Sequence, residues 1–134
     1  MTTSTSIVTG VDFVAIPTND LAAAREFYGN VLGLEASKLW QGPGEDPVGA
    51  EFETGTVTLA LIDCDRLGIP FQATKAPLAL RVEDVPAAKA ELESRGVEFK
   101  TDIIDSGVCH QAFFEDPDGN VVGLHHRYAP RTGA

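Results

Sequence analysis

Basic residues are scarce in this chain. Ten Lys and Arg stand against twenty Asp and Glu, a formal net charge of −10. Nucleic acids and anionic membrane surfaces are bound by basic faces, so neither is expected as a partner. The chain has two cysteines, Cys64 and Cys109, too few for a disulfide scaffold. The expected setting is therefore reduced and cytoplasmic. No apolar run approaches the ~18 residues that a membrane span needs. The opening MTTSTSIVTG lacks Lys, Arg and an apolar core, so it does not read as a secretory signal. What remains is an ordinary globular composition, 43% hydrophobic and 22% charged over 134 residues. That length suits one domain, or two small halves sharing a core.

Periodicity divides the chain further. Val11 to Pro17 alternates as a strand, with Val14 and Ile16 on one face and Phe13 and Ala15 on the other. Asp20 reads as a helix N-cap. Leu21, Ala24, Tyr28, Val31 and Leu32 then form a helical apolar stripe, and Gly33 is a helix stop. Leu34 to Trp40, Val48 to Glu53 and Thr56 to Asp63 are three more strands, with a loop from Gln41 to Pro47. Asp63 to Lys75 reads as a linker. Beyond it Leu78, Leu80 and Val82 share one face of a strand. Asp84 caps a second helix with Pro86 in its first turn and Gly96 at its end. Val97 to Thr101, Val108 to Glu115 and Val121 to His126 complete eight predicted strands and two predicted helices. Asp116-Pro117-Asp118-Gly119-Asn120 is a tight turn, with Pro where φ is fixed and Gly where φ must be positive. Thr2 to Thr9 and Ala129 to Ala134 read as tails.

The two halves repeat one order: strand, helix, three strands. The caps Asp20 and Asp84 lie 64 positions apart, and that offset sets Leu21-Ala22-Ala23-Ala24-Arg25 on Val85-Pro86-Ala87-Ala88-Lys89. One such unit could not easily bury both its sheet and its helix, so two are expected to pair.

Val11-Asp12-Phe13-Val14-Ala15-Ile16, Asp20 to Tyr28 and Val31-Leu32-Gly33-Leu34 resemble the opening of a vicinal-oxygen-chelate module. Phe113-Phe114-Glu115-Asp116-Pro117-Asp118-Gly119-Asn120 resembles that superfamily's closing hairpin. The superfamily includes glyoxalase I, extradiol dioxygenases, and fosfomycin- and bleomycin-resistance proteins. The resemblance implies an α+β fold: one domain of two paired βαβββ modules, about residues 10–63 and 76–127, forming a curled mixed sheet with a cleft. It also implies a homodimer whose partner completes or flanks the cleft. Enzymes of the family hold a divalent metal at up to four cleft positions. Here those positions carry Phe13, Ala60, Pro77 and Gly123, none of which ligates through its side chain. No metal and no cofactor is therefore expected, and catalysis is left open.

Strand parity lists the side chains of the cleft wall: Phe13, Ala15, Thr58, Ala60, Ala79, Arg81, Gly123 and His125. The resemblance to fosfomycin-resistance enzymes adds Cys109, Gln111 and Phe113. Across the closing hairpin His125 is expected beside Gln111 or Cys109, a polar corner in an apolar wall. His110, by parity, falls on the core face as a structural residue. Trp40 and the loop after it could form a lid. Gly123 would leave the cleft floor open. This wall suits a small, partly apolar organic molecule. The leading reading is a metal-free binding protein of the bleomycin-resistance kind, and the net charge would suit a cationic guest. Two alternatives stand beside it. One is a metal-dependent lyase, transferase or dioxygenase with displaced ligands such as His125, Cys109 and Glu51. The other is a metal-free acid/base enzyme using His125 as its catalytic residue.

Overall fold

Residues 6–130, apart from 43 and 45, are described by a computed structural model. The outer parts of both predicted tails, and Pro43 and Glu45 of the predicted loop, lie outside the described residues. Strand β1 (Phe13–Thr18) leads into helix α1 (Leu21–Glu26), which runs on as a π-helical turn over Phe27–Val31. Strands β2 (Glu35–Gln41), β3 (Pro47–Glu53) and β4 (Thr58–Asp63) complete the first module. A short helix α2 (Cys64–Leu67) stands where the sequence suggests only a linker. It is nucleated by Asp63, whose carboxylate accepts from the Arg66 amide. The second module comprises β5 (Leu78–Arg81), α3 (Val85–Ser94), β6 (Ile104–Asp105), β7 (Cys109–Glu115) and β8 (Val121–Arg127).

The modules make two four-stranded mixed sheets, A in the order β1-β4-β3-β2 and B in the order β5-β8-β7-β6. In each the first strand runs parallel to the last and the other pairs are antiparallel. The helix in each module supplies the crossover that a parallel pair requires. Both helices begin as the caps require. Asp20 accepts from the Ala23 amide at 3.0 Å and Asp84 from the Ala87 amide at 2.9 Å.

The predicted strand from Val97 to Thr101 does not form. Phe99 makes a lone bridge to Phe114 and stacks edge-on against its ring, 5.2 Å between centroids. Burying that ring beside α3 draws the chain off the ladder, and pairing resumes only at β6.

Each sheet buries one face against its helix. Ile16, Phe52, Leu59 and Leu61 meet Leu21, Ala24 and Tyr28 in the first module. Ala112, Phe114, Val122 and Leu124 meet Val85 and Leu92 in the second. Gly29 lets the π-helical turn approach closely, since a Cβ there would lie 3.1 Å from the Phe52 ring.

A buried polar seam ties the modules together. The Asp116 carboxylate accepts from the Tyr28 hydroxyl at 2.7 Å and from the amides of Asp118 and Asn120 at 2.9 Å. Asn120 Nδ2 donates to both Asp116 Oδ2 and the Pro17 carbonyl, each at 2.9 Å. Asp118 accepts from the Thr18 hydroxyl at 2.6 Å and the Asn19 amide at 2.9 Å. The tight turn of the second module is thus the clamp on the end of β1. Burial, together with the nearby Asp116 carboxylate, pushes the Tyr28 phenol far above its ordinary range, so it remains a donor.

Candidate functional site

The face of each sheet turned away from its helix is the candidate site. Residues paired across strands share a face, so the ladders define its rows. On sheet A, Phe13 pairs Thr58, which pairs Glu53. Ala15 pairs Ala60, which pairs Glu51. On sheet B, Ala79 pairs Gly123, which pairs Phe113. Arg81 pairs His125, which pairs Gln111, and Arg127 pairs Cys109. The eleven wall residues read from the sequence therefore fall in two groups: Phe13, Ala15, Thr58 and Ala60 on sheet A, the rest on sheet B. Among the described residues, no side-chain hydrogen bond or ring contact joins the two groups within one chain.

On sheet A the carboxylates of β3 are already engaged, while Lys38 and Glu35 on edge strand β2 have no side-chain partner among the described residues. Glu53 accepts from the Ser37 and Thr58 hydroxyls, both at 2.6 Å. Those two bonds, Ser37's the stronger, hold its carboxyl below the ordinary glutamate range. Glu51 accepts from Trp40 Nε1 at 2.5 Å. The indole lies over Gly49, where a Cβ would come within 2.9 Å of it, and meets Phe13 edge-on at 5.7 Å. Trp40 is thereby pinned to the sheet rather than placed as a lid. Phe13 keeps 45% of its surface exposed, an apolar group on the same face.

Sheet B differs. His125 stands directly opposite Gln111, which makes the polar corner, while Cys109 faces Arg127. Arg127 Nη1 lies 4.0 Å from Cys109 Sγ, and Arg127 Nε is buried without a partner among the described residues. The sequence pattern ends this strand at His126, whereas β8 runs on to Arg127. The period of two that places His125 on this face places Arg127 there as well. His110 lies on the helix-side face, as parity requires, yet its side chain is 32% exposed. It sits beside Asp105 at 3.2 Å and stacks on Tyr128 at 4.9 Å. Asp105 is held below the ordinary aspartate range by the Gly107 amide first and the Tyr128 hydroxyl second.

The family's metal positions do not suit a metal here. The Phe13 ring packs on Trp40, Ala60 is fully buried, Pro77 precedes β5, and the Phe113 ring covers Gly123. A Cβ at Gly123 would lie 2.8 Å from that ring, so the expected open floor is filled by Phe113. Among the described residues no three His, Cys, Asp or Glu side chains converge as ligands. His125, Cys109 and Glu51 are not brought together in one chain, since Glu51 belongs to sheet A. Among the described residues no carboxylate lies within 4.0 Å of His125 to orient it as an acid or base.

One hollow was not legible in the sequence. A cavity of about 490 Å³ lies between the modules on the helix side, with Val14, Leu34, Leu59, Leu78 and Leu92 in its wall. Of the wall residues read from sequence, Ala79 and Arg81, on edge strand β5, also border it. No motif marks it, because these side chains have the spacing of any core.

The family model of the Glyoxalase/Bleomycin resistance protein/Dioxygenase superfamily matches residues 10–124, and the chain belongs to that superfamily. Among its relatives is the uncharacterized protein YaeR of Escherichia coli K12, 28% identical over 123 residues, covering 87% of this chain and 95% of YaeR. Among solved structures, TnmS3, an antibiotic binding protein from Streptomyces sp. CB03234, superposes with a TM-score of 0.76 at 27% identity, covering 92% of this chain and 99% of TnmS3. A glyoxalase/bleomycin resistance protein from the same organism gives 0.69 at 28% identity, covering 87% of this chain and all 100% of its own.

Proposed function

We propose that this chain works as one metal-free domain that binds a small, partly apolar organic molecule on the open faces of its sheets, in a cleft completed by a second copy. The observation that carries this reading is the replacement of the family's metal donors by Phe13, Ala60, Pro77 and Gly123, with the Phe113 ring laid over the last. Apolar groups in place of ligands make a wall that holds a molecule by contact rather than by coordination. The antibiotic-binding description of TnmS3 supports the same reading. The exposed Phe13 supports assembly, because a second copy could cover it. A cytoplasmic setting suits the two buried free cysteines.

The test combines elemental analysis, sedimentation and titration with N-phenyl-1-naphthylamine, a neutral aromatic probe that fluoresces when bound. A dimer without stoichiometric metal, saturating with about one probe per chain, is the expected result. Phe13→Asp places a charge in the wall at an exposed position, and should weaken the probe about tenfold, a loss of ~1.4 kcal/mol. Metal at one per chain, or binding untouched by Phe13→Asp, would overturn the reading.

A further inference from the structure

We infer that the open face of sheet B recognises an acid group on the bound molecule, a carboxylate, phosphate or sulfonate on a partly apolar body. The inference rests on the binding reading above and names the chemistry of its ligand.

Three observations carry it. The first is placement. Arg81 and His125 are paired neighbours, and Arg127 is two residues along the same strand and face. Adjacent strands lie about 4.8 Å apart and alternate residues about 6.6 Å apart, so the three side chains can converge on one group. Gln111 stands opposite His125 and can donate from its amide.

The second is the lack of counter-charge. Arg66, Lys89, Arg95, Lys100 and His110 all have a carboxylate within 4.0 Å. Among the described residues Arg25, Lys38, Lys75, Arg81, Arg127, His125 and His126 have none, and of these Arg81, His125 and Arg127 are set together on one face by the ladder. In a chain of net charge −10, two arginines set together with no acid beside them stand against the prevailing field. Glu115 lies on this face at the far end of β7, but it is taken by Lys100 at 3.1 Å. Asp105 pairs His110 and so lies on the other face.

The third is the buried Nε of Arg127, which meets no acceptor among the described residues. An unmade bond there shows that this guanidinium is not committed to another group of the chain, so its outer nitrogens can turn to an anionic oxygen. Planar guanidinium groups suit bidentate contact with carboxylate or phosphate oxygens. Phe113 and Ile104 flank the polar row and supply apolar contact for the rest of the molecule.

A matched pair of probes tests this. N-phenyl-1-naphthylamine and 8-anilinonaphthalene-1-sulfonate share one aromatic skeleton, and the second carries a sulfonate. The expected result is tighter binding of the sulfonate by wild-type protein. In Arg81→Gln and in Arg127→Gln the sulfonate should weaken about tenfold or more, the scale of a charge-assisted hydrogen bond. The neutral probe should stay within about twofold, a small fraction of that free energy. Arg25→Gln, on the exposed side of α1, should change neither. If Arg127→Gln fails to fold, the exposed Arg81 on its edge strand decides alone. Equal affinity of the two probes, or equal loss of both in the arginine variants, sinks the acid-group inference and leaves the cleft standing. Absence of binding by either probe sinks the cleft reading with it. An unchanged sulfonate affinity with a weakened dimer in Arg81→Gln would overturn the inference by assigning that arginine to a carboxylate of the second copy.

Discussion

The two sheets share one plan and treat their open faces in opposite ways. On sheet A the carboxylates are satisfied from within, Glu51 by Trp40 and Glu53 by Ser37 and Thr58. On sheet B the cations Arg81 and Arg127 have no acidic partner among the described residues, and one guanidinium donor is buried unpaired. The repeat gives both halves the same strand order, so the difference in charge and pairing is one of side chains laid on that common order. Sheet A's β3 carboxylates are closed chemically, and its face offers aromatic surface. Sheet B's face has unused hydrogen-bonding capacity. A buried donor without a partner calls for an explanation, and the acid group proposed above is one.

The comparison supposes that the two sheets are held as one body, and the seam that holds them is the place to break it. Asp116 is 5% exposed and receives Tyr28, Asn120 and two turn amides. Replacing it with Ala leaves several buried donors without an acceptor, each worth about 1–3 kcal/mol. Asp116→Ala should therefore destabilise the protein by about 3–5 kcal/mol in urea unfolding, the largest effect expected here. Asp118→Ala removes the seam's other acceptor, which takes the buried Thr18 hydroxyl and the Asn19 amide, and should cost about 1–3 kcal/mol. A loss under about 1 kcal/mol in Asp116→Ala would show that the seam is not what yokes the modules.

A smaller effect separates the sheets from each other. Both lay an aromatic ring over a glycine, Trp40 on Gly49 and Phe113 on Gly123, so each ring covers bare backbone. A Cβ at Gly49 would also stand 2.7 Å from the Leu61 carbonyl oxygen, whereas at Gly123 the close atoms belong to Phe113 alone. Each Gly→Ala should cost about 1–3 kcal/mol through overpacking. Adding Phe113→Ala should relieve the strain of Gly123→Ala. Adding Trp40→Ala should not relieve Gly49→Ala, because a backbone oxygen cannot swing away. A double-mutant cycle reads the difference directly. Equal coupling in the two pairs would mean that ring and backbone block alike.

How much of this was legible in the sequence follows from the range of each signal. The caps Asp20 and Asp84, the parity of β1, β4, β5 and β8, and the pairing of His125 with Gln111 were legible, since each depends on residues a few positions apart or on one turn. The tight turn was legible as a turn, but not as the clamp on Tyr28 and Pro17, which lie about a hundred residues away in sequence. The strand expected at Val97 to Thr101 failed because Phe99 found better burial against Phe114 than a ladder could give. The two helices became three because one aspartate, Asp63, ends a strand and caps a turn at once. Arg127 was not legible because the apolar alternation of β8 fades after Leu124 and marks no strand end. Net charge, which favours a cationic guest, is an average over the whole surface and does not describe any one face.

The smallest effect tests whether sheet A is as self-contained as its hydrogen bonds imply. Glu53 lies below the ordinary glutamate range because Ser37 and Thr58 both donate to its charged form. Its folded value is lower than its unfolded one. The contribution to stability is therefore present above the unfolded value and is lost as pH falls through the folded one. Carboxyl carbon chemical shifts followed through an acid titration should show Glu53 as a late-protonating glutamate. Ser37→Ala removes the larger cause and should move its midpoint upward, and Thr58→Val a lesser distance. Both substitutions together should bring it back to the ordinary range. Arg81→Gln should leave the midpoint where it is if the carboxylate is satisfied within its own sheet. An upward shift of Glu53 in Arg81→Gln, present in the dimer and lost on dilution to monomer, would show instead that the cationic face of one copy sits over the acidic face of the next. The contrast between the sheets would then be two halves of one interface.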